Sequence, residues 1–108
     1  MNDKLSPCVD ACQACAAACH ACAAACLAEP DVDALRACIA ITIDCAQLCA
    51  VTAGQFARGS AVASVTCLAC SSVCSSCAEE CERHRHAHCR FCAAMCRECA
   101  RQCAQVAC

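Results

Sequence analysis

The amino-acid sequence predicts an all-α protein, an up-down-up-down antiparallel four-helix bundle with a cysteine-lined lumen. Three observations carry that expectation. The 108-residue chain has 20 cysteines, most of them in alternating steps of three and four residues, the signature of one helix face with a 3.5-residue seam. The residues between them are largely alanine, the strongest helix former. There are only two Gly and two Pro, and Pro7, Pro30 and Gly59 fall at the ends of the cysteine ladders.

The elements follow in order, as helices over about 6–28, 31–57, 60–83 and 86–107 within one domain spanning 1–108. Ser6-Pro7 is a good N-cap and first-turn pair for helix 1. That helix carries Cys8, Cys12, Cys15, Cys19, Cys22 and Cys26. Glu29-Pro30-Asp31 stops it, and Asp31 is expected to cap helix 2. Helix 2 has only Cys38, Cys45 and Cys49, but Leu35, Thr42, Thr52 and Phe56 continue the same phase. Gly59-Ser60 ends it and caps helix 3, which carries Cys67, Cys70, Cys74, Cys77 and Cys81. The Arg83-His84-Arg85-His86 stretch turns into helix 4, with Cys89, Cys92, Cys96, Cys99 and Cys103. Nineteen cysteines thus share four inward seams, and Cys108, five residues beyond Cys103, breaks phase. Helices of roughly 20–25 residues span about 30–37 Å, and short connections make sequential helices antiparallel neighbours.

An ordinary oily core is excluded, because Leu, Ile, Val and Phe together number 17 and Trp and Tyr are absent. Thiols are the abundant alternative filling. The formal net charge of −2 and scarcity of turn residues argue against disorder and against a loop-rich disulfide scaffold. The start, Met1-Asn2-Asp3-Lys4-Leu5, lacks the pattern of a secretory leader, so a reducing cytoplasm with free thiols is the expected compartment. Ala11 to Ala28 and Gly59 to Ala78 are free of Asp, Glu, Lys and Arg, but their Ala, Cys and Ser content is not that of a membrane span. Nucleic-acid binding is not expected either. Arg83, Arg85, Arg90, Arg97 and Arg101 are interleaved with Glu79, Glu80, Glu82 and Glu98, and no aromatic stacking surface accompanies them.

A stray buried cysteine is a small hydrophobe and needs no further explanation, but that does not account for nineteen in phase on four helices. Neighbours at i,i+3 and i,i+4 have Cβ atoms about 5–6 Å apart, too far for the 3.5–4.5 Å of a disulfide. Two such sulfurs are well placed to grip one metal ion. Six C-x-x-C units are present (12/15, 19/22, 67/70, 74/77, 89/92 and 96/99) without the βαβ context of thioredoxin chemistry. Zinc sites take separate pairs converging on one point, and iron–sulfur ligation typically uses loops around a compact cluster. Here the thiols form a continuous ladder.

Charge favours one ion. About five tetrahedral Zn²⁺ ions on nineteen thiolates would leave roughly nine uncompensated negative charges in a narrow core. One monovalent Cu(I) per thiolate leaves the core nearly neutral, and soft thiolates select Cu(I). His84 and His86 fall in phase with the helix 3 and helix 4 seams, and His88 flanks them, so this end is the expected mouth for copper. His20, Met95 and Asp44 lie beside seam positions and are expected to be structural or solvated. Cys8, Thr52, Phe56, Ala63 and Cys103 should share the opposite end, with Phe56 as an apolar plug. Ile39, Ile41, Ile43, Leu48 and Val51 exceed what a thiol core can cover and suggest an oligomer interface.

The C-x3-C-x2-C-x3-C-x2-C-x3-C ladder of helix 1, the sparse helix 2, the ladder of helix 3 and the His84-Arg85-His86-Ala87-His88-Cys89 approach to the last ladder resemble the copper storage proteins of the cytosolic bacterial type. The resemblance covers essentially the whole chain. It implies a non-enzymatic four-helix bundle that stores many Cu(I) ions, about one per Cys, on the nineteen seam thiolates. It also implies His84, His86 and His88 at the open end and assembly as a homotetramer; a copper chaperone or efflux protein is a further candidate partner. The alternatives are a zinc or general soft-metal buffer of metallothionein-like role, an iron–sulfur electron carrier, and a purely structural bundle.

Overall fold

The computed structural model describes residues 5–107. Helix α1 spans Ser6–Leu27, α2 Arg36–Ala57, α3 Ala63–Glu82 and α4 Ala87–Ala107, with a single 3-10 turn at Val32–Leu35 leading into α2. No strand occurs among the described residues. Sequential helices pack side by side, and α4 returns to α1, so the four helices form a square ring with α1 diagonal to α3 and α2 to α4. The molecule is an elongated rod with principal extents of 44 × 19 × 18 Å. This is the expected all-α bundle. Cys108 lies outside the described residues.

The caps differ from those expected. Ser6 is already helical, Leu5 occupies the cap position without a side-chain cap bond, and Pro7 sits in the first turn, where its missing N–H costs nothing. Asp31 does not cap α2 either. Four residues of 3-10 helix intervene, and the Asp31 carboxylate turns instead to His86, 3.2 Å away. The end of α2 follows its sequence signal closely. Gly59 adopts φ +67°, a left-handed conformation that costs a side-chain-bearing residue about 1–2 kcal/mol. The Ser60 amide donates to the Gln55 carbonyl at 2.9 Å and the Gly59 amide to Phe56 at 3.2 Å, the two bonds of a Schellman stop. Ser60 caps the next turn locally, accepting from the Val62 amide on its hydroxyl, and α3 begins only at Ala63.

The core is unusual in content rather than in packing. All nineteen seam cysteines are at most 1% exposed, joined by Leu35, Phe56 and small alanines such as Ala46, Ala53, Ala63 and Ala78. Alanine lets the helix backbones approach closely enough for short thiol side chains to meet across the lumen. Thr42 and Thr52, fully buried where the α2 ladder skips a cysteine, satisfy their hydroxyls on their own helix. Thr42 donates to the Cys38 carbonyl at 2.8 Å and Thr52 to that of Leu48 at 2.8 Å. They therefore bring no unpaired polar group into the tube. By length and composition alone, α1 and the Val32–Ala57 segment are apolar enough to cross a bilayer. Their cysteines, however, face the bundle interior, while Asp10, Gln13, His20, Arg36 and Asp44 face outward.

Replacing Gly59 with Ala should lower the unfolding free energy of the metal-free protein by about 1 kcal/mol, because no neighbouring atom obstructs the new Cβ and only backbone strain opposes it. Urea denaturation of wild type and G59A measures the difference. G59N should lose less, since Asn tolerates the left-handed region.

Candidate metal centre

Steps of three and four keep returning each cysteine to one face of its helix, so four lines of sulfur converge on the axis. Across the lumen, Sγ–Sγ separations are 3.7 Å for Cys8–Cys103, 3.6 Å for Cys15–Cys96, 3.6 Å for Cys45–Cys74, 3.7 Å for Cys49–Cys70 and 3.5 Å for Cys38–Cys81. Along the helices, Cys15–Cys19, Cys22–Cys26 and Cys45–Cys49 are each 3.9 Å apart. An S–S bond is about 2.05 Å, and all nineteen thiols are free. Two sulfurs bound tetrahedrally to one ion at about 2.3 Å would be roughly 3.8 Å apart, so these separations suit a thiolate-bound soft metal.

The way the sulfurs group is more informative than any one distance. Cys12, Cys70, Cys99 and Cys103 form a quartet with every Sγ within 4.8 Å of the others. So do Cys15/Cys49/Cys74/Cys99, Cys15/Cys19/Cys45/Cys96, Cys19/Cys77/Cys92/Cys96 and Cys22/Cys26/Cys38/Cys89. Cys15, Cys19, Cys96 and Cys99 each belong to two of these quartets. Isolated tetrahedral sites would need separate ligand sets, whereas shared sulfurs are what bridging thiolates require. Cys67 donates to the Cys103 carbonyl at 3.3 Å.

Burial and mutual hydrogen bonding act in opposite directions on these thiols. Burial is the main influence on Cys26, Cys67 and Cys89, pushing all three up, Cys67 to about 12. Their protons are therefore retained at neutral pH until something displaces them. Hydrogen bonds from Cys22 and then Cys81 draw Cys38 down, which eases the loss of its proton within the quartet nearest the histidines.

The histidine end is built by two turns that meet. The α3–α4 turn brings His84, His86 and His88 beside the Glu29–Asp31 turn that follows α1, as the antiparallel arrangement requires. The order of the rings differs from the phase expected from sequence. His88, not His84 or His86, reaches the thiols. Its Nδ1 lies 3.5 Å from Cys89 Sγ, 3.6 Å from Cys22 Sγ and 3.9 Å from Cys26 Sγ. Its Nε2 lies 2.9 Å from a Glu29 carboxylate oxygen. His86 stands beside it, with ring centroids 5.2 Å apart, its Nε2 3.2 Å from both Glu29 and Asp31, and its buried Nδ1 without a hydrogen-bond partner. His84 pairs with Glu80 one turn back, at 2.8 Å. The chain leaves α3 after Glu82, before the projected seam can carry His84 inward, and α4 starts at Ala87, which gives His88 a helical position next to Cys89.

The sequence marks Glu29 only as part of a helix stop, although an acidic pair in the turn facing a histidine-rich turn is a usable signal. His20 and Asp44 are exposed, and Met95 is half-buried on α4. At the other end, Cys8 and Cys103 face each other, and Thr52, Phe56 and Ala63 are buried.

The copper storage protein family model matches residues 1–108. Among solved structures, a cytosolic copper storage protein from Streptomyces lividans is 41% identical with a TM-score of 0.92, covering 95% of this chain and 91% of that one. The metal-free copper storage protein 3 of Bacillus subtilis is 34% identical with a TM-score of 0.89, covering 96% and 99%. The Cu(I)-bound copper storage protein BsCsp3 is also 34% identical, with a TM-score of 0.95, covering 98% and 100%. No curated protein sequence matches the chain. With a cysteine ladder along the whole lumen and a family match over its full length, the chain belongs to the copper storage protein family.

Proposed function

We propose that residues 1–108 form one non-enzymatic storage domain in the cytosol, holding many Cu(I) ions on Cys8, Cys12, Cys15, Cys19, Cys22, Cys26, Cys38, Cys45, Cys49, Cys67, Cys70, Cys74, Cys77, Cys81, Cys89, Cys92, Cys96, Cys99 and Cys103. The observation that carries this reading is the sharing of Cys15, Cys19, Cys96 and Cys99 among four of the five quartets. A ladder of bridging thiolates takes about one monovalent ion per sulfur and stays nearly neutral in a core with no room for counter-ions. Zinc on the same ladder would strand negative charge inside the tube. Copper enters and leaves at the histidine end, where His88 already touches the thiols. His86 and His84 stand outside it as the first groups an arriving ion meets. Each transfer is a ligand exchange in which one sulfur or nitrogen bonds to Cu(I) as another releases it, with no net redox change. A copper chaperone or efflux protein is the partner such a store would serve.

Anaerobic titration with Cu(I) against a competing chelator should give a break near one ion per seam cysteine, and saturation at four or five ions overturns the storage reading. Loading should release close to one proton per Cu(I) in weak buffer, because retained thiol protons are displaced, and affinity should fall as pH falls. Replacing His84, His86 and His88 together with Ala should slow loading and release while leaving capacity unchanged. Loading at the wild-type rate removes the histidine end from the pathway.

We infer self-association from the apolar residues left outside the thiol core, among them Ile43 at 40% and Val51 at 50% exposed on α2, and take the number of subunits, four, from the family resemblance. Light scattering should return about four times the 11.1 kDa chain mass, and a monomer at micromolar concentration overturns the assembly.

A further inference from the structure

We propose that Glu29, in the turn after α1, is the positioning residue that fixes the tautomer and orientation of His88, so that the Nδ1 lone pair faces the Cys22, Cys26 and Cys89 sulfurs. The inference rests on the storage function proposed above and assigns the control of its mouth to a carboxylate on the opposite turn. Both nitrogens of His88 are engaged, in different chemical company. Nε2 is 2.9 Å from Glu29 Oε2, and a carboxylate can only accept, so this nitrogen carries the proton. Nδ1 is then the unprotonated nitrogen, and it is the one that sits 3.5–3.9 Å from three thiol sulfurs. Without Glu29 the neutral ring can place its proton on either nitrogen, and the tautomer with Nδ1–H offers no lone pair to Cu(I) at the thiol face.

The same carboxylate reaches a second ring. Glu29 Oε2 is 3.2 Å from His86 Nε2, which Asp31 also approaches at 3.2 Å. His86 is thus held by its outer nitrogen, and its inner Nδ1 is buried without a partner. Carboxylates that orient metal-binding imidazoles through the other ring nitrogen typically change metal affinity or activity by 10–100-fold when removed. Glu29 is half-buried, not a freely solvated charge, and it comes from the segment between α1 and the 3-10 turn. It therefore ties the geometry of the mouth to the packing of the first two helices.

The test pairs a copper-free readout with a kinetic one. In the metal-free protein, nitrogen-15 NMR of His88 in its neutral form should show the Nε2–H tautomer in wild type and a mixture of tautomers in E29A. An unchanged tautomer in E29A overturns the inference, whatever happens with copper. In stopped-flow loading from a Cu(I)–chelator complex, E29A should slow the first phase about tenfold, the low end of such effects, with final capacity intact. H88A should slow it as much, and the E29A/H88A double variant no further. Additive slowing in the double variant means that Glu29 acts independently of His88 and overturns the proposal. E29Q, whose amide oxygen still accepts from Nε2–H, should load within about twofold of wild type, since a neutral acceptor retains roughly half the strength of a charged one. A normal tautomer effect in a wild-type chain with low copper capacity would sink the storage function and leave the His88 orientation by Glu29 standing.

Discussion

Nineteen sulfur atoms share one narrow lumen, and the rest of the structure answers to the problem of keeping that lumen electrically neutral. Protonated thiols solve it in the absence of metal. They are small, weakly polar and tolerant of burial, and they hydrogen-bond to one another at 3.5–4.0 Å along the tube. A monovalent soft cation replacing each proton solves it equally well, one charge for one charge. The bundle therefore does not need to change shape or recruit counter-ions as protons give way to metal. Divalent ions meet the same sulfurs with the wrong stoichiometry of charge.

The frame around the lumen must stand with very little large apolar surface. Alanine supplies helix propensity and close backbone approach at once, so the packing that Leu and Ile usually provide is distributed over many small contacts. Leu35 and Phe56, at the two ends of the α2 seam, are the large buried apolar side chains that bracket its thiols. Thr42 and Thr52 keep the seam filled where cysteine is absent without adding a metal ligand, because both hydroxyls are committed to backbone carbonyls. Those two positions make α2 the sparse wall of an otherwise continuous sulfur lining.

What was legible in the sequence was whatever repeats. The three-and-four spacing fixed helix identity, face and register for all nineteen seam cysteines, since a periodic signal averages over many residues. The helix starts were not legible in the same way. Ser6 and Asp31 both have cap chemistry, but Ser6 lies inside the helix, and Asp31 is claimed by His86 from a turn more than fifty residues away. A side chain with two possible partners is assigned by tertiary structure. The histidines make the same point. Extending the seam through His84 and His86 assumes unbroken helix, and the chain breaks between Glu82 and Ala87, which rotates His88 into the position nearest the thiols. Glu29 reads from its own neighbourhood only as part of a helix stop, because its histidine partners are on the far side of the sequence.

The difference between the two ends of the tube has a consequence for the order of traffic. Phe56, Thr52 and Ala63 are buried toward the end of Cys8 and Cys103, while the histidines stand at the other end. The sulfur column from Cys8 to Cys26 is about 27 Å long at the rise of an α-helix. Such a column is a stack rather than a reservoir. If copper enters at the histidine end as proposed, ions there would exchange with the surroundings first, and those beside Phe56 would be reached only by hopping from sulfur to sulfur past every rung between. A single chain would thereby hold a quickly available fraction and a slowly available one without any second kind of site, with the age of an ion in the store written in its depth.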